Sequence, residues 1–258
     1  MTCPADLPAA DILGVLVRRV SFEETIVLCQ QAIEEDDKLQ ITTCNLDFLQ
    51  KARANRDYQE LLNRTLNVAD GVPLIWASKL LKQPLPGRVN GTDILERLCQ
   101  MAADKGWRVY LLGAMPDVNQ AARDRLTERY PGLQIYGHGP QIELTDDEAN
   151  RAIATEVAKA KPDILFVALG APRQDFWIDR YQALTGAKVA MGCGGALDIV
   201  SGLYKRAPLW MQRNGLEWLY RLTQQPGYLW KRYLSQAVFF FRVLLQSLSL
   251  RRRSRDTH

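Results

Sequence analysis

The chain has 258 residues, 47% hydrophobic and 24% charged, an ordinary balance for a globular protein and enough length for one large domain or a domain with an appendage. No tract is long and clean enough for a membrane-spanning helix, and the first residues lack the basic-then-apolar order of a secretory signal. The net charge of +4 is divided unevenly: residues 205–258 hold eleven Lys/Arg and two acids, net +9, which leaves −5 on residues 1–204 and points to a negatively charged partner for the tail.

Along the chain, "ITTCNLDF" (41–48) predicts a strand that delivers Thr43 and Asn45 at its end. "LNVADGVPLIW" (66–76) predicts a second, broken by Asp70-Gly71. Asp-Gly is turn chemistry, so Asp70 is either punctuation or a carboxylate at the lip of a cleft. In "PGRVNGTDIL", Gly91 reads as a turn and Thr92 and Asp93 as helix caps, with Arg88 just before them as solvated surface or a diphosphate ligand. "WRVYLLG" (107–113) predicts a buried strand, and the apolar spacing from Asp117 to Tyr130 predicts a helix stopped by Pro131-Gly132. "LQIYG" begins the next strand, and His138 in "YGHGP" reads as a loop residue. Thr145, with Asp146 and Asp147 behind it, predicts a helix N-cap and an acidic first turn. "DILFVALG" (163–170) is a further strand, followed by a loop holding Arg173 and Gln174, a helix over "DFWIDRYQALTG", and "AKVAMGCGG" (187–195), a strand running into a glycine loop.

Strand–helix alternation at this spacing predicts an α/β fold: a Rossmann-like parallel sheet with helices on both faces. Ligands in such folds bind outside the carboxyl ends of the strands. Four of those ends deliver Thr43 and Asn45, Asp70, Gln174, and Gly192, Gly194 and Gly195. Turn chemistry accounts for any one of them; their convergence on one edge is the functional signal.

Several chemistries are demoted. "GCGG" is not G-x-G-x-x-G, and no acidic ribose-binding residue follows at the right distance. There is no P-loop and no D-x-D. The two histidines, His138 and His258, and five unpatterned cysteines (Cys3, Cys29, Cys44, Cys99 and Cys193) fit neither a zinc site nor a disulfide framework.

The segment 205–234 interleaves Lys205, Arg206, Arg213, Arg221, Lys231 and Arg232 with Trp210, Trp218, Tyr220, Tyr228 and Trp230. This suits a membrane interface or single-stranded nucleic acid. Beyond it, Val238, Phe241, Leu245 and Leu248 form one helical stripe and Ser235, Arg242, Gln246, Ser249 and Arg253 another, ending in a basic cluster. That pattern favours an anionic membrane surface over nucleic acid, with packing on the body or on another subunit as the alternative. The expected organisation is an α/β catalytic domain over 1–203 and a basic, aromatic-rich helical, membrane-associating appendage over 204–258.

"TTCNLDF", "ADGVPLIW", "GRVNGTD", "ALGAPRQDFW", "GCGGALDIVSG" and "KRAPLWMQRNGLEWLYRL" together resemble, in order, the motifs of the WecG/TagA/CpsF glycosyltransferases, from about residue 12 to 234. The resemblance implies a bacterial enzyme at the cytoplasmic face of the plasma membrane. Such an enzyme moves a hexose-type residue (N-acetylmannosamine, its uronic acid or glucose) from a UDP-sugar to N-acetylglucosamine on a polyprenyl diphosphate, with inversion and without a metal or other cofactor. It implies Asp70 as catalytic base. Thr43 and Asn45 would line the pocket, and Gln174 and Arg88 would contact the donor or its diphosphate. Arg206, Arg221 and the amides of the Gly192–Gly195 loop would meet the charge of UDP. The chain departs from the family pattern at Tyr228, where an arginine is usual, leaving Lys231 and Arg232 as the nearest replacements. Family members tend to associate, so a homo-oligomer is expected. A nucleotide-binding oxidoreductase and a nucleic-acid-binding protein are the competing classes.

Overall fold

In chain order the elements are β1 (Ala9–Ile12), β2 (Val15–Arg18), α1 (Phe22–Glu34), β3 (Leu39–Cys44), α2 (Leu46–Ala54), α3 (Arg56–Arg64), β4 (Leu66–Ala69), α4 (Val72–Leu80), α5 (Gly91–Lys105), β5 (Arg108–Gly113), α6 (Pro116–Arg129), β6 (Gln134–His138), α7 (Asp147–Lys159), β7 (Ile164–Ala168), α8 (Arg173–Thr185), β8 (Val189–Gly192), α9 (Ala196–Val200), α10 (Leu209–Arg213) and α11 (Glu217–Gln224). They come from a computed structural model that describes residues 3–227, 230, 231, 234, 235, 239 and 240.

Six strands form a parallel sheet in the order β4-β3-β8-β7-β5-β6, and β1 and β2 form a separate antiparallel hairpin. The sheet strands are apolar on both sides because both sides are covered, and the pleat sends alternate residues to different cores. Ile164 and Phe166 join the cluster containing Ile94 and Leu98 of α5, Ala122 of α6 and Val200 of α9. Leu165 and Val167 join the one containing Ala154 of α7 and Trp177 and Ile178 of α8. Cys44 and Ala69 pack with α2, α3, α4 and the hairpin. The parallel sheet with helices on both faces is therefore observed.

This division places the site. β3 and β8 are neighbours, yet β3 leads into α2 on one face and β8 into α9 on the other. Where adjacent strands send their connections to opposite faces, the loops part and a crevice opens outside the carboxyl ends.

Buried polar groups tie the layers together. The Thr42 hydroxyl lies 2.9 Å from the Thr65 hydroxyl and donates to Asn67 Oδ1 at 2.9 Å. Gln182 Nε2 faces three backbone carbonyls, Leu39, Ala187 and Lys188, at 3.4, 3.2 and 3.1 Å, closing the amino-terminal edge of β3 and β8.

Several local expectations are corrected. Asp146, not Thr145, caps α7: its carboxylate accepts from Ala149 N at 3.0 Å, and a charged acceptor suits the positive helix end. Arg173 and Gln174 form the first turn of α8 rather than a loop, because Gln174 N already donates to Gly170 O and Phe176 N to Pro172 O. His138 ends β6, with Nδ1 2.8 Å from the Tyr110 hydroxyl. Asn90 caps α5, and Gly91, Thr92 and Asp93 lie inside the helix. The two stripes read over 235–253 fall almost wholly outside the described residues; among those described, no helix is long and apolar enough to cross a membrane.

Replacing Gln182 with Met keeps the length of the side chain but withdraws the donor from the buried carbonyls of Leu39 and Ala187, while Lys188 O keeps the Leu39 N–H at 2.7 Å. Unsatisfied buried acceptors cost about 1–3 kcal/mol. The variant is expected to unfold at lower urea with an unchanged denaturant slope; an unchanged midpoint would remove the role assigned to Gln182.

Candidate active site

A cleft of about 520 Å³ lies at the carboxyl ends of β3, β4 and β8, walled by the start of α5 and by α11. This is the size range of small-molecule sites. Thr43, Asn45, Asp70, Arg88, Gln174, Gly192, Gly194, Gly195 and Arg221, all singled out in the sequence, line it.

The chain places these groups by backbone pairing. Asp70 N donates to Cys44 O and Val89 N to Ala69 O, each at 2.7 Å, so the ends of β3 and β4 and the entry to α5 are laced together around Asp70. Asn45 caps α2, its Oδ1 accepting from Asp47 N at 2.9 Å and Phe48 N at 3.4 Å. Asn90 does two things. Its Oδ1 accepts from Thr92 N at 2.9 Å and Asp93 N at 3.3 Å, while its Nδ2 donates to Asp70 Oδ1 at 3.1 Å.

Asp70 is partly buried on the cleft wall. Burial raises its carboxyl to about 6 and nearby Glu217 pushes the same way; Arg88, the Gly91 amide and the Asn90 side chain act against them. At neutral pH it is ionised yet close enough to its pKa to exchange a proton. A carboxylate so poised is a general base in form.

On the opposite lip, Gln174 is buried and its Oε1 accepts from Gly194 N at 3.1 Å. The glycines here make room for side chains. A Cβ on Gly192 would lie 2.6 Å from Gln174 Cδ and 2.7 Å from Asp175 Oδ1, and a Cβ on Gly195 would lie 2.7 Å from Arg221 Nη2. Close approach is what the glycine loop provides, but at two of its positions protein atoms occupy the space. Asp175 itself is fully buried, accepts from the Tyr58 hydroxyl at 2.7 Å, and has its carboxyl raised to about 7 by burial.

The positive groups differ in availability. Arg88 Nη2 lies 3.0 Å from Glu217 Oε2, both side chains largely buried. Arg206 is absent from the cleft lining, and its guanidinium pairs with Asp93 at 2.5 Å and faces Glu217 at 3.9 Å. Arg221 reaches the cleft beside Gly195. Lys231 is exposed, with Nζ over the Trp230 ring at 5.7 Å from its centroid. Arg232 lies outside the described residues.

Sequence reasoning missed Asn90 and Glu217. Asn90 carried a signal, an Asn three residues before an acidic helical position, which is an N-cap signature. Glu217 is the sole acid between Lys205 and Arg255, an isolated exception in a basic run. Lys51 was also missed: its Nζ reaches Asp47 Oδ2 at 2.6 Å and Ala171 O at 2.7 Å, and both Lys51 and Asp47 line the cleft. No group of three or more His, Cys, Asp or Glu side chains is placed to hold a metal among the described residues.

A family model described as "Glycosyl transferase WecG/TagA/CpsF family" matches residues 10–253. An N-acetylglucosaminyldiphosphoundecaprenol N-acetyl-beta-D-mannosaminyltransferase from Bacillus subtilis (strain 168) is 35% identical over 205 residues, covering 79% of this chain and 78% of that protein. A protein of the same name from Staphylococcus aureus (strain MRSA252) is 34% identical over 230 residues, covering 86% and 85%.

The environment of Asp70 has a consequence for stability. A carboxyl whose pKa is higher in the folded state than in the unfolded chain binds protons more tightly when folded, so stability falls as pH rises from about 4 to about 6. Asp70→Asn removes that loss while keeping shape and an acceptor for Asn90. The variant is expected to gain about 1–3 kcal/mol over the parent at pH 7.5, and little at pH 4. Urea unfolding at both values checks this, and a difference independent of pH would refute it.

Proposed function

The chain belongs to the glycosyl transferase WecG/TagA/CpsF family and is a glycosyltransferase; from that premise we propose that it transfers N-acetylmannosamine, with inversion, from UDP to an N-acetylglucosamine carried on polyprenyl diphosphate. The observation that carries this reading is Asp70: an ionisable carboxylate with its pKa raised toward neutrality, at the end of β4 beside the switch point of the sheet, sharing a cleft with Arg88 and Arg221. The relatives' names supply the donor sugar and the acceptor class.

In the proposed reaction, Asp70 takes the proton from an acceptor hydroxyl. That oxygen attacks the anomeric carbon from the side opposite UDP, and the bond from this carbon to the diphosphate oxygen breaks. Arg88 and Arg221 meet the negative charge that develops on the diphosphate, as fixed cations in a partly desolvated cleft. Arg88 is paired with Glu217, so the diphosphate competes with that carboxylate for it. Arg206 contributes through Glu217 and Asp93, holding α11 against the start of α5. Thr43, Asn45 and Gln174 offer neutral polar contacts to the sugars, and the amide of Gly195 is a further donor for the diphosphate.

This assignment uses arginines where other transferases use a metal, so we propose a metal-independent enzyme. The test is a panel of UDP-linked N-acetylmannosamine, N-acetylmannosaminuronic acid and glucose against a short-chain polyprenyl-diphosphate N-acetylglucosamine acceptor, in excess EDTA. Turnover is expected with the first donor and undiminished by EDTA. Asp70→Asn is expected to lower kcat by roughly 10²–10⁴ with UDP affinity little changed. Preference for another donor, loss of activity in EDTA, or near-parental turnover by Asp70→Asn would each overturn the corresponding part.

The basic tail is proposed to hold the enzyme on the inner face of the plasma membrane, where a polyprenyl-linked acceptor resides. Each Lys or Arg near an anionic surface contributes about 1 kcal/mol, lessened by salt. The full chain is expected to sediment with phosphatidylglycerol vesicles at low salt. Truncation after Phe240, which keeps Phe239 in the core and Phe240 on the cleft wall, should weaken this while sparing turnover of the short-chain acceptor, because Arg88, Glu217 and Arg221 also remain. Unchanged sedimentation after truncation would refute the anchoring role.

A further inference from the structure

Asn90 is held from three sides. The backbone N–H groups of Thr92 and Asp93 both point at its Oδ1, at 2.9 and 3.3 Å, which fixes the amide orientation. Its Nδ2 is thereby turned outward and meets Asp70 Oδ1 at 3.1 Å. The side chain is nearly fully buried, so there is little solvent to compete for either end. The residue is anchored to the first turn of the 15-residue α5, a rigid element that packs into the main core through Ile94, Leu95 and Leu98.

Asp70 Oδ1 is therefore committed to a donor that cannot rotate away, and the backbone amide of Gly91 is a second donor to the same carboxylate. Both donors favour the charged carboxylate over the neutral acid. The other charged or titratable groups acting on Asp70 are Arg88, from the segment before α5, and Glu217, from α11; the Cys44 thiol of β3 also lies within electrostatic reach. Arg88 and Glu217 act on its charge through space and not through a hydrogen bond to its carboxylate.

We propose that Asn90 is a positioning residue: by capping α5 with its oxygen and holding Asp70 with its nitrogen, it aims the base. The proposal rests on the reading of Asp70 as general base. It assigns the sequence Asn90-Gly91-Thr92-Asp93 a double duty that neither helix capping nor catalysis alone accounts for.

Two replacements separate the duties. Ser and Asp both cap helices well. Asn90→Ser therefore keeps the cap but lacks the reach to donate to Asp70. Asn90→Asp keeps the cap and sets a second carboxylate against the first, so that one of the pair holds a proton to higher pH.

The assay uses the full chain with UDP-N-acetylmannosamine and the short-chain acceptor, over a range of pH, beside thermal melts and UDP titrations. For Asn90→Ser, kcat is expected to fall roughly 10²-fold, the scale of a misplaced catalytic group, with KM and UDP affinity within about threefold and the melting temperature little changed. For Asn90→Asp, the acid limb of the rate profile should move up by about one pH unit or more. In the Asp70→Asn background, Asn90→Ser should cause no further loss. An equal loss in both backgrounds, or an unchanged rate and acid limb in both single variants, would overturn the proposal. A slow Asp70→Asn enzyme with an unimpaired Asn90→Ser enzyme overturns this proposal alone. Near-parental turnover by Asp70→Asn overturns the base assignment and this proposal with it.

Discussion

The reversal of winding between β3 and β8 is the constraint on which the rest of the molecule depends. Two hydrogen-bonded neighbours send their chains to opposite faces, one into α2 and the other into α9. No loop can then cross the gap above them, and the sheet edge stays open there. Thr43 and Asn45 stand at the end of one strand and Gly192 to Gly195 at the end of the other. β4 lies just outside β3, so Asp70 joins them at the same edge. The site is a consequence of strand order before it is a consequence of any side chain.

Charge within the cleft is balanced rather than merely positive. Asp70 is raised by burial and by Glu217 and lowered by Arg88, while Arg88 is itself paired with Glu217. Arg206 sits behind this pair, between Glu217 and Asp93. Arg88, Glu217, Arg206 and Asp93 join the start of α5 to α11, so the basic segment is coupled to the cleft edge through a carboxylate. In the proposed reaction an anionic diphosphate would compete with Glu217 for Arg88, and Arg206, facing Glu217 at 3.9 Å, would remain beside the displaced carboxylate.

The sheet was legible because its signals are short-range. "WRVYLLG" and "DILFVALG" are runs of apolar, mostly β-forming residues closed by glycine, and they became β5 and β7 within a residue or two at each end. Helix beginnings were read less well. At α7 and α5 several cap-forming residues stand side by side, Thr145 with Asp146 and Asn90 with Thr92 and Asp93, and only the backbone geometry selects Asp146 and Asn90. The loop expected at Arg173 and Gln174 is helix, because the hydrogen bonds of α8 begin at Gly170 and Pro172.

By itself the sequence determined the alternation of strands and helices, the family, and the residues that end the strands, because each depends on patterns a few residues long or on motifs that stand in order. Only the tertiary structure decided which of those residues meet. Asn90 holds Asp70 across 20 positions, Tyr58 holds Asp175 across 117, and Glu217 reaches Arg88 across 129. Arg206 and Arg221, alike in the sequence as cations of one basic segment, were parted by the fold: one is engaged by Asp93 and Glu217, and the other faces the cleft beside Gly195. Contacts at such separations depend on strand order and helix packing, and no local spacing records them.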